Sequence, residues 1–245
     1  EWKQRYPLTA PETSVGLDRL SMYEVARQLS DAIPENTVIA PGSSGFASEI
    51  FHLMLQIKKG QRCYHSRGTG AMGFAIPSAI GACFANGKKP VVSMDGDGGF
   101  QFNIQELAVI AAHQLPIAMF VFNNQGYASI RSSQNGYFGG NLVGSDATSG
   151  LVLPDLEKVV AAYGLAYERI RKGDDVPAKI RAALTLGKPI VCEVEVIADE
   201  PREPRLSSMK RADGSMVSKP LEDLFPFLPR EEFRANMLIP VIEDE

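Results

Sequence analysis

Pro90-Val-Val-Ser-Met94-Asp95-Gly96-Asp97-Gly98-Gly99 and Ile117-Ala-Met-Phe-Val-Phe122-Asn123-Asn124-Gln125-Gly126-Tyr127 decide the fold of this 245-residue chain. Each is an apolar, strand-like run that stops abruptly in a polar, glycine-bearing turn. Residues 117–122 are apolar at every position, as a strand is when helices cover both faces of its sheet. The stretch 101–113 between them has helical length and spacing. A strand, helix, strand unit makes the two strands parallel. Further strand runs lie at 37–40, 62–65, 166–170 and 190–196, with expected helices at 45–58, 70–86, 154–163 and 175–186. Lys89-Pro90, Leu115-Pro116 and Lys188-Pro189 each put proline just ahead of a strand, where it ends the preceding helix. The expected fold is α/β: a parallel sheet of about six strands with helices on both faces, then an irregular C-terminal tail.

Composition narrows the function classes. Lys plus Arg number 25 against 29 Asp plus Glu, a formal net charge of −4, without the basic excess of a nucleic-acid binder. Hydrophobic residues at 44% and charged residues at 22% exclude wholesale disorder. No apolar run approaches the roughly 20 residues of a membrane span. Neither nucleic acid nor membrane is an expected partner. Cys63, Cys83 and Cys192 share no metal-ligand spacing and fit a reduced, cytoplasmic setting. No charged-then-apolar signal segment opens the chain, and it does not begin with Met, so a processed or excised piece is expected. Residues 1–20, with Trp2, Tyr6, Pro7 and Pro11, read as a linker from an upstream region. Residues 21–198 read as one ligand-binding domain. Residues 199–245, rich in proline and charge, read as a tail whose Leu221, Leu224, Phe225, Phe227 and Leu228 pack onto a surface.

Ligands of open α/β sheets bind beyond the carboxyl ends of the strands. Four successive strand ends carry glycine turns: Pro41-Gly42-Ser43-Ser44-Gly45, Ser66-Arg67-Gly68-Thr69-Gly70-Ala71-Met72-Gly73, Asp95 to Gly99, and Asn123 to Tyr127. Bare backbone amides at helix N-termini suit a phosphate or diphosphate. Gly68-x-Gly70-x-x-Gly73 is formally a dinucleotide fingerprint, with Asp95 near the spacing of a ribose contact. The strand before it is short and polar, and Pro77 sits inside the expected helix, so a dinucleotide is disfavoured. Asp97 and Asn124 stand 27 positions apart, one strand–helix–strand unit, which places them at adjacent strand ends. Each turn alone is an ordinary turn former. Together, the Asp97 carboxylate, the Asn124 amide oxygen and the Gly126 carbonyl make part of a hard-oxygen shell that phosphate oxygens and a water would complete for magnesium.

Gly96-Asp97-Gly98 followed by Asn123-Asn124 resembles the thiamine diphosphate motif of the pyruvate decarboxylase and acetolactate synthase superfamily. Gly70-Ala71-Met72-Gly73-Phe74 with Pro77-Ser78-Ala79-Ile80-Gly81-Ala82 resembles the glycine loop and helix that precede the motif in acetolactate synthase-like enzymes. The C-terminal tail, with Pro220-Leu221-Glu222-Asp223 and Pro226-Phe227-Leu228-Pro229, is similar to tails of acetolactate synthase-like proteins. The resemblance implies that residues 21–198 form the family's diphosphate-binding domain. It implies that Asp97, Asn124 and Gly126 hold Mg2+. Gly42, Ser43, Ser44, Gly96, Gly98, Gly99, Tyr127 and Ala128 would lie against thiamine diphosphate, with Gly70 accepting from its pyrimidine and Met72 holding its bent form. The implied reaction is decarboxylation of pyruvate and carboligation to a carbonyl acceptor. Alternatives are simple decarboxylation of a 2-keto acid, or a non-catalytic subunit that keeps the cofactor fold. The implied partners are the small-molecule keto acid and either a second copy or a pyrimidine-binding domain. The activating glutamate is expected outside this chain, since Glu24 and Glu49 both belong to the diphosphate-binding half. Two features depart from acetolactate synthases: the run Gly126-Tyr127-Ala128-Ser129-Ile130 is nearer the decarboxylase side, and Arg67 stands where many relatives have glycine. Arg67, His52, His113 and Glu106 read as surface or packing residues, and His65 as a candidate ligand contact.

Overall fold

A computed structural model describes residues 2–11, 14, 17–66, 68–210 and 214–240; Arg67 lies outside the described residues. The chain divides into two compact units, Glu1–Glu200 and Pro201–Glu245.

The first unit is built on one sheet. Its strands are β1 (Val38–Pro41), β2 (Arg62–Cys63), β3 (Val91–Gly96), β4 (Ile117–Asn123), β5 (Ala166–Ile170) and β6 (Ile190–Glu195). They lie in the order β2-β1-β3-β4-β6-β5, every neighbouring pair parallel. The register aligns the carboxyl ends: Gly96 pairs with Phe122, and Asn123 with Glu195. Asp97 and Asn124 therefore leave neighbouring strands side by side. β2 is shorter than the expected 62–65. It is an edge strand with exposed Arg62 and Tyr64, and its last ladder bond runs from the Tyr64 amide to the Ile39 carbonyl at 2.9 Å.

The helices of this unit are α1 (Trp2–Arg5), α2 (Met22–Ala32), α3 (Gly45–Met54), α4 (Ala75–Ala85), α5 (Asp97–Phe100), α6 (Leu107–His113), α7 (Ala128–Tyr137), α8 (Leu156–Ala162) and α9 (Val176–Thr185). Alternation along the strands builds two cores, one per face of the sheet. Ile39, Met94, Phe120, Phe122 and Val194 pack with α2, α3 and α9; Ala40, Val91, Met119, Val121 and Val191 pack with α4, α6 and α8. Each of the fully buried Ile, Val, Met and Phe side chains contributes about 1.5–3 kcal/mol. Among the described residues, no helix is long and apolar enough to cross a membrane.

Besides β2, several elements differ from the sequence reading; the helix expected at 45–58 ends at Met54. The helix expected at 70–86 begins only at Ala75, because Gly70 and Gly73 take left-handed φ of 61° and 74°. Pro77 thereby falls in the first turn, where a missing N–H costs nothing. The stretch 101–113 is broken at Asn103 (φ −129°, ψ 35°), with a 3-10 segment Gln101–Glu106 before α6. Helix α2 was not expected, although Met22, Tyr23, Val25, Ala26 and Leu29 bury one helical stripe. Nor was α7, whose sequence Ala-Ser-Ile-Arg-Ser-Ser-Gln-Asn-Gly-Tyr is poor in helix formers. By contrast, α8 and α9 begin near their expected starts, at side-chain caps: Asp155 accepts from the Lys158 amide and Asp175 from the Ala178 amide.

In the second unit, between irregular stretches, lie an antiparallel pair, β7 (Ser208–Lys210) with β8 (Met216–Ser218), and α10 (Arg230–Asn236). The Arg230 guanidinium forks onto both oxygens of Asp223 at 2.8 and 3.0 Å and stacks over Phe233 at 4.9 Å.

Candidate cation and diphosphate site

At the ends of β3 and β4 three oxygens converge. Asp97 is the first residue of α5 and nearly buried. Its Oδ1 accepts from the Gly98 amide at 2.9 Å and its Oδ2 from the Gly126 amide at 2.8 Å. The buried Asn124 amide fits two ways. With oxygen inward, it stands 2.9 Å from the Gly126 carbonyl oxygen and 3.1 Å from Asp97 Oδ1, three acceptors facing one another; with nitrogen inward, it donates to both. Adjacent ligands of an octahedral Mg2+ at 2.0–2.1 Å lie about 2.9 Å apart. The two separations from the Asn124 oxygen therefore match two edges of an octahedral face, and a cation would make that orientation favourable. Burial pushes the Asp97 carboxyl up to about 6, against the Gly126 and Gly98 amides and the charge of Arg131. A divalent cation alongside would hold it ionised at neutral pH. No cluster of three His, Cys, Asp or Glu occurs among the described residues, so a cation here depends on amide, carbonyl and added anionic oxygens.

An anion site adjoins the corner. The ten-residue helices α3 and α7 direct their N-termini into one cavity of about 200 Å³, whose walls include Gly45, Phe46 and Ala47 from one and Ala128, Ser129 and Ile130 from the other. Neither N-cap, Ser44 or Tyr127, closes its helix with a side-chain hydrogen bond. The positive ends of two helix dipoles therefore face the same space. Ser129 Oγ is buried beside it without a hydrogen-bond partner among the described residues.

Behind this wall lies Asp95, almost completely buried. It accepts from the Gly96 amide at 2.9 Å and from the Ser44 hydroxyl, while Oδ2 has no partner among the described residues. Burial pushes its carboxyl up to about 6. Asp95 is thus a buried post around which the turns wrap, not a side chain open to a ribose. A Cβ on Gly42 would meet its carboxyl carbon at 2.5 Å, and a Cβ on Gly99 would meet Ser44 Oγ at 2.3 Å and Asp95 Oδ1 at 2.5 Å. Glycine at both positions is a steric requirement. Gly99→Ala is accordingly expected to cost roughly 1–3 kcal/mol of stability, by overpacking a buried hydrogen-bonded pair, and to weaken any ligand on this wall. Urea unfolding checks the first effect; an unchanged midpoint would show that the turn yields freely.

Of the residues singled out from sequence, Ser43, Ser44, Met72, Gly96, Gly98, Gly99, Asn124, Gly126, Tyr127 and Ala128 line the cavity. Gly42 stands behind it against Asp95. Gly70 is exposed and lies away from the walls; Asp97 is reached from a second groove of about 660 Å³ that also holds Asn123, Gln125, Arg169 and Glu193. His65 lies outside the cavity with its ring 5.0 Å from that of His52, and the His113 ring packs edge-on at 5.2 Å from Phe84.

Arg131 escaped the sequence reading. It lies in the first turns of α7 and is nearly inaccessible. Nη2 donates to the Asn124 carbonyl at 2.9 Å and the Ala198 carbonyl at 3.1 Å. Nη1 donates to the carbonyls of Gln125 at 3.0 Å and Ser145 at 3.2 Å, and Nε to Asp199 at 2.9 Å. The only signal for it in the sequence is a lone charge among small polar residues soon after the turn Asn123 to Tyr127.

A doubly covered parallel sheet, with two helix N-termini opening into one cavity at adjoining strand ends, defines a class: α/β proteins whose strand-end turns suit a diphosphate. Residues 43–194 match the family described as thiamine pyrophosphate enzyme, C-terminal TPP binding domain, and the chain belongs to that family. Among similar proteins, the acetolactate synthase large subunit of Pyropia yezoensis is 27% identical over 220 residues, covering 89% of this chain and 36% of its own length. The chloroplastic acetolactate synthase 2 of Brassica napus is 31% identical over 175 residues, covering 70% of this chain and 28% of its own length. The chain thus spans about a third of the length of the curated relatives it matches. Among solved structures, the thiamine diphosphate-dependent 4-hydroxybenzoylformate decarboxylase of Rhodococcus jostii RHA1 shares the fold, with a TM-score of 0.67, 22% identity, and coverage of 80% of this chain and 36% of that one.

Proposed function

We propose that this chain is the cofactor-holding half of a 2-keto acid enzyme, binding thiamine diphosphate through Mg2+ at the ends of β3 and β4. The observation that carries the reading is the convergence of Asp97, Asn124 and the Gly126 carbonyl beside the N-termini of α3 and α7. Asp97 and Asn124 bind the cation by side chain and Gly126 by its carbonyl. Ser43 presents a hydroxyl, and Ser44, Gly98, Gly99, Tyr127 and Ala128 present close backbone, to the diphosphate. When bound, the cofactor supplies the electron sink on which a 2-keto acid loses carbon dioxide. Met72, partly exposed on the cavity wall, gives an apolar support against which the ring system is oriented, and the small residues around it leave the space.

The acetolactate synthase names of the relatives support a reaction in which pyruvate is decarboxylated and its two-carbon unit joined to a carbonyl acceptor. We assign the activating carboxylic acid, and with it the pyrimidine side of the site, to a second copy or a separate domain. Cys63, Cys83 and Cys192 are free thiols, in keeping with a reducing cytoplasmic setting.

Calorimetric titration with thiamine diphosphate, with and without Mg2+, tests the reading. Saturable binding that weakens at least tenfold in a chelator is expected. Binding indifferent to the cation, or none at all, would remove it.

A further inference from the structure

We propose that Arg131 is a positioning residue that builds the cation corner before the cation arrives. The inference rests on the cation reading above and concerns which part of this chain sets the geometry of the corner.

The decisive feature is the peptide unit joining Gln125 to Gly126. Its carbonyl accepts from Arg131 Nη1 at 3.0 Å, while its N–H donates to Asp97 Oδ2 at 2.8 Å. The two groups of one planar trans peptide point in opposite directions. Arg131 and Asp97 therefore hold that plane from opposite sides. The preceding carbonyl, of Asn124, is also turned toward the guanidinium, at 2.9 Å. With the carbonyls of 124 and 125 both directed at Arg131, the carbonyl of Gly126 is the one left to face Asn124, 2.9 Å from its amide oxygen in the ligating orientation.

The conformation being held is one the chain does not choose unaided. Gln125 has φ 64° and Gly126 has φ 115°. A non-glycine residue in the left-handed region persists only where its surroundings impose it. Asn123 contributes by accepting the Gln125 amide at 3.1 Å, and the Tyr127 amide is tied to the Ser145 carbonyl at 2.9 Å. Arg131 is the group that reaches the turn, the Ser145 loop and the end of β6 together, through its bonds to Ser145, Ala198 and Asp199. All five of its N–H groups are used, four of them on main-chain carbonyls. A lysine keeps the charge but has three donors and no planar fork.

The test is the Mg2+ midpoint at fixed thiamine diphosphate, read by calorimetry on the 245-residue chain for wild type, Arg131→Lys and Asp199→Asn. Arg131→Lys is expected to raise the midpoint roughly 10–100-fold, as loss of groups that orient metal ligands does. Its metal-free thermal midpoint should fall by only a few degrees. Asp199→Asn leaves the four carbonyl bonds in place and should shift the Mg2+ midpoint by less than about threefold, the residual effect of an exposed charge partner. A folded Arg131→Lys chain with an unchanged midpoint overturns the proposal, as does an Asp199→Asn shift equal to that of Arg131→Lys, which would make charge the carrier. If Arg131→Lys does not fold, hydrogen exchange on the wild-type chain in a chelator decides. Protected Gly126 and Tyr127 amides support a prebuilt corner; exchange at the open-chain rate until Mg2+ and cofactor are added overturns it. A wild type without Mg2+-dependent cofactor binding is a different failure, that of the functional reading.

Discussion

Replacing Asp97 by alanine is expected to abolish Mg2+-dependent binding of thiamine diphosphate while the chain stays folded. The carboxylate is the one full negative charge in the three-oxygen corner, and in a largely buried site its loss removes about 3 kcal/mol, roughly 100-fold in affinity. The fold should tolerate the change for a reason visible in the structure. Burial disfavours the ionised form of Asp97, pushing its carboxyl up to about 6. Its removal therefore relieves a buried charge while it costs the Gly98 and Gly126 amides their acceptor. The two effects oppose, and the thermal midpoint of the metal-free chain should move little. Unchanged cofactor affinity in the folded variant would place the cation elsewhere. A chain that no longer folds would make Asp97 a structural residue first.

The second large effect concerns catalysis. Purified alone and saturated with thiamine diphosphate and Mg2+, these 245 residues are expected to sustain no turnover of pyruvate. Among the described residues lining the cavity there is no glutamate and no other carboxylate. Asp95 and Asp97 are both engaged by backbone amides of the turns, and neither Glu24, exposed on α2, nor Glu49, on α3, lines the cavity. A positioned proton donor and acceptor typically contributes 10²–10⁴-fold to such a reaction. Supplying a pyrimidine-binding domain of the family in trans should restore turnover. Product analysis with pyruvate alone and with added carbonyl acceptors then separates carboligation from simple release of an aldehyde. Sustained turnover by the chain alone would show that an activating acid lies within it.

The parts of this molecule legible in its sequence are those whose determinants are local. Ile117 to Phe122 is apolar throughout, because α2, α3 and α9 cover one face of the sheet and α4, α6 and α8 the other. Gly96-Asp97-Gly98 and Asn124 could be placed together because a parallel crossover brings adjacent strand ends into line, and the pairing of Gly96 with Phe122 gives that alignment directly.

The misses have a common physical origin in partners distant along the chain. Helix α7 is held by Arg131, whose acceptors at Ser145, Ala198 and Asp199 lie 14, 67 and 68 residues away. No local propensity of Ala128 to Tyr137 encodes that. The burial of Asp95 was likewise not legible, because Ser44, from a turn 51 residues earlier, and Gly42 close over it. Helix α2 is the exception. Its buried stripe was present in the sequence, but it precedes the first strand, where alternation of strands and helices gives no cue.

The corner itself is most directly examined by crystallising the chain with thiamine diphosphate and Mn2+ in place of Mg2+ and locating the metal by anomalous scattering. The expected result is a single peak about 2.1–2.3 Å from Asp97 Oδ1, Asn124 Oδ1 and the Gly126 carbonyl oxygen, slightly longer than the 2.0–2.1 Å of Mg2+ itself. A metal bound elsewhere, or an Asn124 amide turned nitrogen-inward with cofactor present and no peak between the three residues, would contradict it.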